Sequence, residues 1–271
     1  MRALLTKHLS FLSKPGRRSG PAWAAAIGCA FAIAAAVAGC AKLAGVDHDA
    51  LWKIVYLQCV PAAQAGTGSQ CAQVDLQRHY AILKDISGKG QHLLIPTDRV
   101  TGIESPAILA TPLLPYWSDA WTSRHFVETA VKQPLADNQL GVEINSQFRR
   151  SQDQLHIHID CMRTDVTDAL ARHRDDTPGT WRWDTFDGKR YRIMRVTSLD
   201  GADDPFRIVA RDHDTTQSMA LQTILVTGAG ASAARDGWLI VNSDLDLDQG
   251  TGTAEGLLDH ACKVARPVAA S

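Results

Sequence analysis

Gln154-Leu155-His156-Ile157-His158-Ile159-Asp160 is the stretch that decides the fold, because apolar and polar residues alternate through it. Strict alternation is typical of a β-strand with one buried face, since successive side chains of a strand point to opposite faces. The aliphatic residues are therefore expected to face a core, and the polar residues, including both histidines, to share the other face. Two imidazoles fixed side by side on a strand can attack an electrophile, bind a phosphate or hold a metal ion.

The chain as a whole has the composition of a globular protein, with 271 residues of which 45% are hydrophobic and 21% are charged. This length is enough for one large domain or two small ones. The formal net charge is −1, so no overall basic field indicates a nucleic-acid partner.

Residues 1–45 differ in kind from the body of the chain, residues 46–271. Basic residues precede an uncharged, Ala-rich run over 19–41, and no acidic residue lies before that run. The run just reaches the ~20 residues that a membrane-spanning helix needs, and its basic flank is expected to stay in the cytoplasm. The sequence therefore predicts a single N-terminal anchor or signal at the inner membrane of a bacterium, with the body facing the periplasm.

The end of this run, Val37-Ala38-Gly39-Cys40, resembles a bacterial lipobox. Cleavage there would leave Cys40 as a lipidated first residue. An uncleaved signal anchor that happens to end in small residues is the alternative, and both interpretations predict that the body is tethered to a membrane.

Four of the six cysteines lie in the body, and an even number in an exported protein favours disulfides. Cys59 and Cys71 flank a loop rich in small residues, where a local bridge can form. Cys161 and Cys262 would then pair by elimination and connect the end of the His strand to a C-terminal helix. A four-cysteine zinc site is the alternative, but no C-x-x-C spacing supports it.

Periodicity along the body predicts an α+β fold, in which helices are segregated from an antiparallel sheet. Helices are predicted over 47–60, 116–132, 164–173, 215–224 and 254–265. Strands are predicted over 80–84, 92–96, 142–145, 154–160, 181–194, 206–210 and 237–242, the first two as a hairpin. Residues 175–250 could form a second half of related build that lacks paired histidines, although no sequence repeat is clear.

The segment Leu155-His156-Ile157-His158-Ile159, preceded by Asn145 and Ser151, is similar to the signature of the histidine-triad (HIT) superfamily. That signature has three histidines that alternate with apolar residues after an Asn and a polar turn. Leu83-Lys84-Asp85, Ile144-Asn145-Ser146 and a Cys directly after the His strand resemble one branch in particular, the membrane-anchored CDP-diacylglycerol pyrophosphatases.

The resemblance implies a HIT-like sheet with flanking helices and a hydrolase of phospholipid metabolism. Its substrate would be the lipid CDP-diacylglycerol at a membrane surface, its products CMP and phosphatidate, and it would need neither cofactor nor metal. His156 corresponds to the family's nucleophilic middle histidine and His158 to its third. Gln154 replaces the first histidine, and a Gln can donate a hydrogen bond but cannot titrate.

Several polar residues are candidates for contacts with this substrate. Ser151 could hydrogen-bond the leaving-group side, and Asn145 could hold phosphate or ribose. Lys84 and Arg99 could supply positive charge near the anhydride. For His156 to attack through its outer nitrogen, its other nitrogen should donate its proton to a backbone carbonyl.

Two other functions are compatible with the sequence. His156 to Asp160 form an H-x-H-x-D string of the kind that metallohydrolases use, but Cys161 follows where a His is usual, and a catalytic metal needs a third ligand. The chain could also be a tethered module that binds nucleotides or lipids without catalysis. Insensitivity to EDTA would speak against the first alternative, and loss of turnover in a His156→Ala variant against the second.

Overall fold

The computed structural model describes residues 47–186, 188–212 and 218–265. Its central feature is an antiparallel β-sheet whose strands differ in length. The strands are β1 (Cys71–Asp75), β2 (Tyr80–Lys84), β3 (His92–Pro96), β4 (Leu140–Ile144), β5 (Ile157–Cys161), β6 (Trp181–Phe186), β7 (Lys189–Val196), β8 (Gln222–Gly228) and β9 (Trp238–Asp244). In the described part of the chain they form one nine-stranded sheet of order β1-β2-β3-β5-β4-β8-β9-β7-β6. This confirms the α+β class and the predicted β2–β3 hairpin.

The helices are short and lie on both faces of this sheet. They are α1 (Ala50–Ile54), α2 (Val60–Gln64), α3 (Tyr116–Thr122), α4 (His125–Val131), α5 (Thr164–Leu170), α6 (Pro205–Arg211) and α7 (Ala233–Asp236). One π-helical turn, Val55–Cys59, joins α1 to α2. The helix predicted over 116–132 is interrupted at Ser123, whose hydroxyl donates to the carbonyl of Asp119 at 2.8 Å and competes with the backbone.

The alternation in the His strand is confirmed by the packing of β5. Ile157 and Ile159 are fully buried in a core shared with α3, α4 and α6. His158 and Asp160 lie on the opposite face, on whose outer strands Leu83 and Leu93 pack against Val55 of the π-helical turn that follows α1. The strand itself begins at Ile157, so His156 lies at its entrance rather than within it.

The sheet consists of two halves with the same order of elements, which meet at the antiparallel β4–β8 pair. In the first half the β2–β3 hairpin is followed by α3 and α4, then β4, and β5 inserts between β3 and β4. In the second half the β6–β7 hairpin is followed by α6, then β8, and β9 inserts between β7 and β8.

Three predicted elements, all after residue 200, are of the wrong type, and the strand predicted over 181–194 is instead the antiparallel hairpin of β6 and β7. Residues 205–211 form helix α6 instead of a strand, because Pro205 starts the helix and Asp204 caps it by accepting from the Arg207 backbone N–H at 3.2 Å. Strand β8 takes up the end of the helix predicted over 215–224, of which residues 215–217 lie outside the described residues. Ile224-Leu225-Val226 in β8 is a continuous apolar run without alternation, so periodicity could not identify the strand. The helix predicted over 254–265 is a series of turns with one 3₁₀ turn, Glu255–Leu257.

Both predicted disulfides are present, Cys59–Cys71 and Cys161–Cys262. The first joins the π-helical turn to the start of β1, and the second joins the end of β5 to the C-terminal segment. Because all four cysteines are bridged, the alternative of a four-cysteine zinc site is wrong.

The predicted location, a bacterial inner membrane with an N-terminal anchor, is wrong on the following finding. Within residues 47–186, 188–212 and 218–265, no helix has the length and apolar character that a membrane crossing requires. The predicted signal or anchor over 1–45, with the lipidation site at Cys40, lies outside the described residues.

Candidate active site

His156 and His158 line one cavity of about 510 Å³. Their ring centroids are 5.1 Å apart and the ring planes cross at 64°. The other lining residues come from α1, the residue before β1, the β2–β3 hairpin, the loop before β5 and the C-terminal segment; they are Ala50, Leu51, Ile54, Gln70, Leu83, Lys84, Asp85, Ile86, Ser87, Leu93, Asn145, Arg149, Ser151, Gln152 and Glu255.

The ring of His156 is held in one tautomer by its own backbone. Its Nδ1–H donates to the carbonyl oxygen of Gln154 at 2.7 Å, which leaves the lone pair on Nε2. Within the described residues Nε2 has no hydrogen-bond partner. A neutral imidazole in this tautomer presents a nucleophilic nitrogen to the cavity.

The ring of His158 is held in the opposite tautomer by Gln91, a residue that the sequence did not single out. The Gln91 amide donates to His158 Nδ1 at 2.6 Å, so the proton of the neutral ring lies on Nε2. That Nε2–H is buried and finds no acceptor in the described part of the chain. Buried donors are normally satisfied, so this one is suited to an oxygen atom of a ligand.

Burial keeps both imidazoles neutral. It lowers the pKa of His156 and of His158 from 6.5 to about 4 each because the charged ring loses its hydration. The neighbouring His158 lowers the pKa of His156 further, whereas Glu255 acts in the opposite direction. At pH 7 both rings are therefore neutral, with a free lone pair on His156 Nε2 and a proton on His158 Nε2.

The polar rim of the cavity contains three residues predicted from the sequence. Lys84 lines it, with Nζ donating to the carbonyls of Asp85 at 2.7 Å and Gly88 at 3.1 Å. Asn145 Nδ2 donates to Glu255 at 3.2 Å, and Asn145 Oδ1 is buried without a partner among the described residues. Ser151 lies in the loop before β5 and lines the cavity.

Two predicted residues are not brought into this cavity. The side chain of Gln154 is buried and donates to the carbonyls of Pro96 at 3.0 Å and Asp98 at 2.8 Å. Arg99 pairs with Asp49 at 2.5 Å, outside the lining. Gln154 therefore connects the loop after β3 to the start of β5. The prediction that Gln154 and Arg99 contact the substrate is not favoured by these positions.

Arg149 is a cavity residue that the sequence gave little reason to choose. Its side chain is exposed at the rim and makes no ion pair with any residue in the described ranges. The next residue, Arg150, is instead buried in ion pairs with Glu104 and Asp153. The two adjacent arginines look alike in the sequence, but only Arg149 is available to a phosphate.

A second group missed in the sequence lies beside the histidines. His260 Nδ1 contacts Asp160 Oδ2 at 2.8 Å, and His260 Nε2 lies 3.4 Å from Glu255 Oε1. Glu143, which pairs with His158 across the sheet, is fully buried; burial and the charge of Glu255 raise its pKa to about 8. The one sequence signal for this group was the predicted Cys161–Cys262 bridge, which brings the C-terminal segment to β5.

The arrangement does not favour the metallohydrolase alternative. Among residues 47–186, 188–212 and 218–265, no group of three or more His, Cys, Asp or Glu side chains is placed to hold a metal ion. Asp160 of the H-x-H-x-D string is occupied by His260 and by the backbone N–H of Cys161.

Comparison with known proteins gives close matches in sequence. Residues 46–266 match the sequence model of the family described as CDH, CDP-diacylglycerol pyrophosphatase. A CDP-diacylglycerol pyrophosphatase from Yersinia pestis is 36% identical over 228 residues, which cover 82% of this chain and 87% of that protein.

Among solved structures, yeast Ap4A phosphorylase is similar at a lower level. The free structure shares 16% identity with a TM-score of 0.35, and the alignment covers 63% of this chain. The complex with Ap4A shares 18% identity with a TM-score of 0.37 and covers 62% of this chain. This chain spans 58% of the length of each.

Proposed function

Because this chain belongs to the CDP-diacylglycerol pyrophosphatase family, we propose that it hydrolyses CDP-diacylglycerol to CMP and phosphatidate through a nucleotide bound covalently to His156. The reaction is a step of phospholipid metabolism, and residues 46–271 form the catalytic domain, with a HIT-like sheet. The observation that carries the mechanism is the Nδ1–H bond from His156 to the Gln154 carbonyl at 2.7 Å, which leaves Nε2 free to attack.

In the first step His156 Nε2 attacks the phosphorus of the cytidylyl group. A nitrogen–phosphorus bond forms, the bond from that phosphorus to the bridging oxygen breaks, and its electron pair leaves with phosphatidate. The reaction is divided into two easier steps, as in other covalent catalysis. Phosphoryl transfer depends mainly on positioning and charge stabilisation, and the His158 Nε2–H is suited to donate to a non-bridging oxygen.

In the second step water attacks the same phosphorus. The nitrogen–phosphorus pair returns to His156, CMP is released, and one proton of the water leaves to solvent. The ring recovers its starting tautomer because Nδ1–H stays bonded to the Gln154 carbonyl throughout.

The lining of the cavity supports a nucleotide-sized ligand. Its volume of about 510 Å³ lies within the usual range for small-molecule sites. Lys84 and Arg149 contribute positive charge at the rim, while Leu51, Ile54 and Leu93 form an apolar wall. We place the diphosphate between the histidines and the cationic rim, with Ser151 on the leaving-group side.

Mass spectrometry after mixing with CDP-diacylglycerol tests this mechanism directly. The expected result is a CMP-sized adduct on a peptide that contains His156, formed in the presence of EDTA. A His156→Ala variant should form no adduct, whereas a His125→Ala variant, altered at an exposed histidine, should form it normally. Turnover without any adduct would overturn the covalent route, and binding without turnover would indicate a module that only binds the lipid.

A further inference from the structure

The attack by His156 creates a charge that its surroundings oppose. A ring that keeps its Nδ1–H and forms a bond through Nε2 becomes a cation. Burial disfavours that cation, and the same burial holds the ring neutral before the reaction. The phosphoryl group attached to the ring carries one negative charge, and an anion near His156 that is present before substrate binds stabilises the ring cation further.

We propose that Glu255, held in place by His260 and Asp160, is the anion that balances the positive charge on nucleotidylated His156. The inference rests on the proposed function, because it concerns the intermediate of that reaction. Glu255 lines the same cavity as His156, and its charge acts on the His156 ring in the direction that favours a cation.

The carboxylate of Glu255 is fixed at both oxygens. Oε2 accepts from Asn145 Nδ2 at 3.2 Å, and Oε1 lies 3.4 Å from His260 Nε2. An anion that is oriented in advance stabilises charge without reorganising during the reaction. Glu255 acts on the ring from a fixed position, which is the property that the intermediate requires.

His260 is in turn fixed from three directions. Its Nδ1 is 2.8 Å from Asp160 Oδ2, and that carboxylate is fully buried. The His260 carbonyl accepts from the Lys89 backbone N–H at 2.8 Å, and the Cys161–Cys262 bridge fastens the adjoining chain to β5. The hydrogen bond to Asp160 raises the pKa of His260, which favours the charged ring that can contact both carboxylates.

Other charged groups act on the two catalytic rings and do not replace Glu255. Glu143 on β4 is protonated at neutral pH, because burial and Glu255 raise its pKa to about 8, so it adds no negative charge. Arg150 opposes a cation on His156. Asp85 in the β2–β3 loop favours a cation on His158, and His260 disfavours that cation. Glu255 is therefore the carboxylate that favours a cation on His156 itself.

A Glu255→Gln variant tests the inference, because it removes the charge while preserving size. The rate at which CMP becomes attached to His156 in a single turnover is expected to fall about tenfold or more, the change expected for one unit of pKa. In an NMR titration the pKa of His156 should fall further. Glu255→Asp, which keeps the charge, should restore part of the rate, and Glu128→Gln on the far face of the sheet should change neither quantity.

The outcomes separate this inference from the proposed function. If the parent forms no adduct, the covalent mechanism fails. If the parent forms it and Glu255→Gln forms it at the same rate with an unchanged His156 pKa, only the charge-balancing role fails. A raised KM with an unchanged rate at saturation would also overturn that role, because it would assign Glu255 to a substrate hydroxyl group instead.

Discussion

Strands β5 and β9 occupy equivalent places in the two halves of the sheet, yet β5 belongs to the candidate site and β9 belongs to the hydrophobic core. On the face that contains the cavity, β5 presents His158 and Asp160, whereas β9 presents Leu239 and Val241. The same topology therefore serves chemistry in one half and packing in the other. Function belongs to the side chains placed on a fold rather than to the fold itself.

The coverings of the two halves differ in the same way. Over the first half, α1 leaves the space beside His156 and His158 open as the cavity. Over the second half, α5 and the C-terminal segment close the surface with Val166, Leu170 and Leu258, which pack around Leu239. The polar residues of β7 and β9 point to the other face, where Arg192 bonds Asn242 at 2.6 Å. A shift of one residue in the polar pattern is enough to exchange the faces of a strand.

The largest effect is expected from removing the proposed nucleophile, His156. His156→Ala should reduce turnover of CDP-diacylglycerol on the order of 10⁴-fold, as expected for loss of a covalent nucleophile. Steady-state kinetics, compared with His125→Ala, measure it. Residual activity within tenfold of the parent would mean that His156 is not the nucleophile.

Giving the second half an imidazole should cost stability and create no activity. Leu239 is almost fully buried, so Leu239→His would place a polar ring among aliphatic side chains without a partner. We expect a loss of roughly 3 kcal/mol in the free energy of unfolding, measured by urea denaturation against Leu239→Met. A stable variant that restores hydrolysis to His156→Ala would break the distinction between the halves.

The converse substitution, His158→Leu, makes β5 resemble β9. Turnover should fall roughly 10²-fold, because a preorganised donor to the phosphate is lost, while the fold tolerates another apolar residue beside Leu93. Gln91 loses its partner in this variant, so His158→Leu with Gln91→Leu is the stability control. An unchanged kcat in either variant would mean that His158 does not contribute to catalysis.

The acid dependence of stability should also distinguish the halves. The pKa of His158 is about 4 in the folded protein and about 6.5 when unfolded, so the unfolded chain binds more protons between these values. The ring therefore destabilises the fold as pH falls from 6.5 to 4. The stability difference between the parent and His158→Leu should shift by about 1 kcal/mol between pH 7 and 5.5.

Glu143 affects the pH dependence of stability in the opposite direction, so its contribution must cancel when the two proteins are compared. Its pKa is raised to about 8 in the fold, so its contribution is present at low pH and is lost as pH rises towards 8. Because Glu143 is common to the parent and the variant, their difference isolates the imidazole. A difference that is independent of pH would contradict the buried, neutral state of His158.

Sequence reasoning succeeded where the pattern was local. Two short apolar runs around a turn identified β2 and β3, and alternation identified the face on which His158 lies. The loop between Cys59 and Cys71 indicated the first disulfide, and elimination then gave the second. It failed for β8, in which both faces are buried and no alternation remains. It also missed Glu255 and His260, because their contacts with Asn145 and Asp160 span 110 and 100 residues.

Gln154 shows a further limit of reading a strand by its alternation. The pattern placed its side chain beside the two histidines, but the strand begins only at Ile157. Before that point the chain is irregular, and the amide turns inward to the carbonyls of Pro96 and Asp98. Where regular structure begins is set by such tertiary bonds, which a periodicity cannot report.

The contact of Glu255 with Asn145 has a consequence for the order of biosynthesis. His156 and His158 emerge from the ribosome long before Glu255 and His260, and domains generally fold as the chain is made. A nascent chain that has completed only the first half would possess a nucleophile without its counter-anion. On the charge-balancing proposal, the enzyme would become competent last, only when its C-terminal turns dock beside β5.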